Sequence, residues 1–86
     1  MPEVCRFYGI VIKLYFADHV PPRFHAEYGE YEARIAIESL AVLSGALPPR
    51  AMGLVAEWSL LHQRELLEQW QRVMRHEPPA RIEPLP

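Results

Sequence analysis

His19, Arg23, His25, Glu27, Glu32 and Arg34 lie close together in the sequence, around the Pro21-Pro22 pair and a run rich in tyrosine. Their types admit three readings. Zinc takes a closed set of three or four His, Cys or carboxylate ligands. His19, His25, Glu27 and Glu32 have the right chemistry, but no cysteine pair, His-x-x-x-His or fixed ligand spacing accompanies them. No metal site is therefore assigned. A metal-independent ribonuclease needs an acid–base group near neutrality and a cation for the developing phosphorane charge. His25 with Arg23 or Arg34, and Tyr28 or Tyr31 nearby, contains those types. The third reading is a mixed polar sheet face, on which the His and Arg side chains pair with Glu27 and Glu32 and meet a partner. This last reading is preferred, because residue types brought together on a fold do not by themselves make a site.

These side chains need a hairpin to position them. Pro21 and Pro22 lack an N–H and cannot sit inside a paired strand, so they separate two runs. Phe24, Ala26 and Tyr28 alternate with Arg23, His25 and Glu27, and Tyr31, Ala33 and Ile35 alternate with Glu32 and Arg34. That period of two predicts strands. Gly29-Glu30 between them suits a type II′ turn, in which Gly29 takes a positive φ. The turn sets Tyr28 opposite Tyr31, Glu27 opposite Glu32, Ala26 opposite Ala33 and His25 opposite Arg34. Glu27 against Glu32 is a like-charge pair that a cation such as Lys13 or Arg34 can offset. Arg23, His25 and Arg34 are expected on one face, at least partly open to solvent. Phe24, Tyr28, Ala33 and Ile35 are expected on the other, beneath helices.

The flanking chain reads as scaffold. Val4 to Phe16 is a strand region dominated by β-branched and aromatic residues, with Gly9 marking a bulge or a close approach. Val42 to Ala46 is a short edge strand that Gly45 weakens. From about 48 to 76 the apolar period is near 3.6, with Val55, Trp58, Leu66, Trp70 and Val73 on one face. Glu57, Arg64, Glu68 and Arg72 lie opposite, where Arg64–Glu68 and Glu68–Arg72 are spaced for i,i+4 pairs. Leu54 and Leu61 fall on that charged side, which suggests either burial on both sides or an oligomer contact. The region is long for a small domain, so a break near His62 is expected. His62 beside Trp58 reads as a structural histidine bonded to backbone. Trp58 and Trp70 read as core anchors. The segment 77–86 is a tail whose Ile82 and Leu85 are suited to docking on the body.

Composition narrows the rest. Eighty-six residues make one domain with half its residues apolar. The net charge is −2, without a basic block, so bulk charge does not indicate nucleic-acid binding, although a local patch remains possible. The single Cys5 excludes an internal disulfide, and its position beside Arg6 is too little to make it reactive. No stretch has the length or apolarity of a membrane span, no cofactor motif is present, and a reducing cytoplasm is the expected home.

Several segments together resemble a bacterial family known only as domain of unknown function 4160. They are Arg6-Phe7-Tyr8-Gly9-Ile10, Pro22-Arg23-Phe24-His25-Ala26-Glu27-Tyr28, Leu47-Pro48, Glu57-Trp58 with His62, Glu65-Leu66 and Trp70, and Ile82-Glu83-Pro84-Leu85. The resemblance implies a small stand-alone cytoplasmic bacterial protein that accompanies a second small gene, in the manner of toxin–antitoxin pairs. It implies no activity. Members often carry His where this chain has Arg23, so a family His-x-His pair is reduced here to His25.

The expected fold is α+β: a three- to four-stranded, mainly antiparallel sheet, then one kinked helix or two helices packed on one face. The expected function is non-enzymatic interaction with a companion small protein or a second copy, through His19, Arg23, His25, Glu27, Glu32 and Arg34. The alternative is a small RNA-directed enzyme or toxin using His25, Arg23 and Arg34.

Overall fold

The structure, a computed structural model, describes residues 3–16 and 20–86. Five strands come first: β1 (Glu3–Phe7), β2 (Ile10–Lys13), β3 (Arg23–Tyr28), β4 (Tyr31–Ala36) and β5 (Val42–Ala46). Two helices follow, α1 (Pro49–Leu61) and α2 (Gln63–Met74). The strands form one antiparallel sheet in the order β1-β2-β3-β4-β5.

Five strands replace the expected three or four, because Val4 to Phe16 is a hairpin and not one strand. Tyr8 and Gly9 both take positive φ, 49° and 81°, which is the requirement of a type I′ turn. The chain reverses there and Phe7 faces Ile10. A tyrosine at positive φ is uncommon, so the turn carries none of the usual Asn-Gly or Asp-Gly signal. The bulge expected at Gly9 lies instead between Glu3 and Cys5. A Cβ on Gly9 would lie 3.4 Å from the Tyr28 ring, in ordinary van der Waals contact.

The second hairpin has the expected register, with His25 opposite Arg34, Glu27 opposite Glu32 and Tyr28 opposite Tyr31. Gly29 has φ 58°, as a II′ turn demands. Its Cβ position is open, with no atom within 4 Å, so a side chain there meets conformational strain alone. Gly29→Val should therefore cost about 1–2 kcal/mol, read as a lowered urea midpoint with an unchanged m-value. An unchanged midpoint would mean that the turn tolerates a β-branched residue and does not hold the register.

The helices and the tail take one face of the sheet. Ile10, Ile12, Leu14, Phe24, Ala26, Ala33 and Ile35 share a buried core with Val55, Trp58, Leu66, Trp70 and Val73. Tyr28 and Tyr31 extend past that cover and are exposed, contrary to the placement of Tyr28 beneath the helices. Tyr28 lines an open groove beside the start of α1. The helical region breaks at His62, whose ψ of 25° ends α1 and begins α2. His62 is structural, but it bonds the Glu65 carboxylate rather than backbone, while its ring packs on Trp58. No ion pair joins Glu68 to Arg64 or Arg72 among the described residues; Arg72 approaches Glu77 instead, at 3.9 Å.

The tail closes one edge of the sheet. Ile82 and Leu85 are buried, and the Ile82 N–H donates to Val4 O at 2.7 Å on β1. Trp58 Nε1 donates to Glu83 O at 2.8 Å, and Arg81 pairs with Glu3 at 3.1 Å. The tail thus supplies both apolar cover and partners for groups that β1 and α1 would otherwise leave unmet. β5, at the other edge, is exposed along its whole length.

Candidate functional site

The face of the sheet away from the helices gathers most of the expected polar residues. Side chains alternate across a strand, and the register brings Lys13 beside His25, His25 beside Arg34, and Arg34 beside Ser44. The next row holds Val11, Glu27, Glu32 and Ala46. Side chains are joined diagonally between the rows. Lys13 Nζ lies 3.0 Å from Glu27 Oε1, and His25 Nδ1 lies 3.1 Å from Glu32 Oε2. Arg34 Nη1 donates to Ser44 Oγ at 3.1 Å.

The like-charge pair Glu27–Glu32 is resolved by this arrangement. Each carboxylate turns to a different cation or donor, Lys13 for Glu27 and His25 for Glu32. The Glu27 carboxylate holds the Lys13 ammonium above its ordinary range by hydrogen bonding. A carboxylate only accepts, so the Nδ1 that bonds Glu32 carries the proton.

His25 departs from expectation. It is 5% exposed, not partly open. The Tyr15 ring stands edge-on to it, with centroids 4.5 Å apart, and Glu32 covers another side. Period two assigned His25 to the correct face but said nothing of what folds over that face, and Tyr15 comes from the connection after β2. Arg23 is half-buried and turns back toward the carbonyls of Pro21 and Val20, at 3.4 and 3.5 Å. It does not join His25. Glu32, Arg34 and Ser44 are exposed, and Glu27 and Lys13 are half-buried. His19, also expected at this site, lies outside the described residues.

A general base must reach the proton that it takes, and His25 is packed and hydrogen-bonded within the sheet face. Among the described residues, no group of three or more His, Cys, Asp or Glu is placed to hold a metal ion. Cys5 is buried, and burial pushes its thiol up, away from thiolate reactivity.

Two features were not read from the sequence. A groove of about 710 Å³ opens beside the first hairpin, lined by Tyr8, Tyr28, Arg50, Leu54, Glu57 and Leu85. It forms only because the hairpin tips, the start of α1 and the tail converge, and no local pattern encodes that. Leu60 joins Leu61 among the exposed apolar residues of α1. The helical wheel could have identified it, since it lies on the side away from Val55 and Trp58. No helix among the described residues is long and apolar enough to cross a membrane.

A family model described as "Domain of unknown function (DUF4160)" matches residues 9–71. The match runs from the first hairpin turn into α2. No curated protein and no solved structure matches the chain.

Proposed function

The chain belongs to the domain of unknown function 4160 family, and from that premise and its own geometry we propose that it is a small non-enzymatic interaction protein. It acts as one component of a bacterial two-gene, toxin–antitoxin-like module, and a companion small protein docks on its open sheet face. The observation that carries this reading is the asymmetry of the sheet. Helices and tail take one face, while the other presents Glu32, Arg34 and Ser44 to solvent, with the Lys13–Glu27 ion pair and the His25–Glu32 hydrogen bond beside them. Such a face offers fixed, alternating charge to a complementary surface, which confers specificity and orientation. The burial of His25 favours this reading over an RNA-directed enzyme that uses His25 with Arg23 and Arg34.

Arg34 provides the test. It is exposed, and exposed substitutions usually change stability by under about 0.5 kcal/mol. Arg34→Glu should leave thermal unfolding almost unchanged and weaken companion binding at least about tenfold, or 1.4 kcal/mol. Binding would be measured calorimetrically with the companion recovered by co-purification from the native host. Undiminished binding would move the interface off this face. Expression of the chain alone should leave growth unaffected; arrest relieved by the companion would favour the enzymatic alternative.

A further inference from the structure

We infer that the chain self-associates about a two-fold axis at the elbow between α1 and α2, burying Leu60 and Leu61 against a second copy and pairing Glu57 of each copy with Arg64 of the other. The surface lies on the helical side of the sheet, away from the open polar face, so the inference stands or falls independently of the companion reading.

The first observation is apolar exposure. At about 100° per residue, Ala51, Val55, Trp58, Leu66, Trp70 and Val73 define the buried side of the two helices. Glu57, Leu60 and Leu61 at the end of α1 and Arg64 at the start of α2 are all exposed. Leu60 is 66% exposed and Leu61 67% exposed. A single exposed leucine is ordinary, but two adjacent ones beside the break between the helices are apolar surface that the core does not use.

The second observation is charge. Glu57 and Arg64 are both exposed. No salt bridge or side-chain hydrogen bond among the described residues involves either one. They stand seven positions apart, on either side of the break at His62, and do not pair with one another within the chain. The midpoint between them falls between Leu60 and Leu61. An antiparallel second copy about that point therefore sets Leu60 and Leu61 against one another and brings each Glu57 beside an Arg64, twice. This self-complementarity is what an isologous two-fold contact requires, and rim charges of this kind fix its orientation. A different protein would have to reproduce both spacings, whereas a second copy has them already.

The test uses the full chain in sedimentation equilibrium, with circular dichroism to verify that each variant folds. The wild type should show a concentration-dependent dimer. Glu57→Arg and Arg64→Glu should each weaken it at least tenfold, since each places like charges together twice. Mixing the two variants in equal amounts should restore dimerisation, because the Glu57→Arg chain then meets Glu at 64 of the Arg64→Glu chain while the native pair survives on the other side. Leu61→Asp should give a monomer. A wild type that stays monomeric at every concentration would overturn the proposal. So would a dimer indifferent to the single charge reversals, or single variants that weaken it but fail to recover on mixing.

Discussion

Replacing Trp58 by alanine should cost about 3–5 kcal/mol, the range for deleting a buried Trp or Phe side chain. Small domains are stable by only about 5–15 kcal/mol in total, so this variant is expected at the edge of folding. Trp58 is wholly buried. Its ring lies 5.5 Å from Phe7 and 6.2 Å from Phe24 between centroids, which ties α1 to β1 and β3. Its indole N–H holds the tail through Glu83 O. Loss of the ring therefore opens a cavity at the centre and leaves a carbonyl without its donor. Trp58→Phe separates these effects. It keeps most of the apolar volume but loses the N–H, and should cost about 1–3 kcal/mol, with faster proteolysis confined to residues 77–86. Guanidinium unfolding followed by circular dichroism would measure both variants. Equal midpoints for Trp58→Ala and the wild type would mean that Trp58 does not anchor the helices on the sheet.

Gly45→Ala should be nearly as damaging, for a different reason. Gly45 has φ 77°, and a Cβ there would lie 2.2 Å from the Glu32 carbonyl oxygen and 3.1 Å from Ala33 Cα. Both atoms belong to the backbone of β4, so no side-chain rotation relieves the overlap. The unfavourable φ and the displacement together should cost about 2–4 kcal/mol. Because β5 is an edge strand with a register shift opposite Arg34/Ile35, the expected outcome is detachment of β5 from β4. Loss of amide protection confined to the β4–β5 ladder in hydrogen exchange would report it. The Arg34–Ser44 bond should go with it, and companion binding should weaken in the same variant. Unchanged protection would mean that β4 can shift to accommodate the methyl group. Gly29→Val is the contrast, since the space around Gly29 is open.

Local patterns in the chain determine a large part of this molecule. The alternation through Arg23–Tyr28 and Tyr31–Ala36, with Gly29-Glu30 between, specifies the central hairpin to the residue, because a one-residue slip would reverse the faces of a strand. The spacing of Val55, Trp58, Leu66 and Trp70 specifies the buried side of the helices, and the length of the region argues for the break found at His62. Lys13 as the counter-ion of Glu27 is legible from the like-charge pair that needs one. Tertiary structure decides what crosses those elements. The Tyr8-Gly9 reversal depends on a tyrosine held at positive φ while its hydroxyl bonds the Pro86 carbonyl, a contact far away in sequence. Gly45, which reads as a weakness in an edge strand, is required by the β4 backbone lying against it. His25 is assigned to its face by period two, but the Tyr15 ring that packs edge-on against it comes from outside its hairpin. Strand periodicity reports which way a side chain points, and solvent access depends on which other parts of the chain come to lie over it.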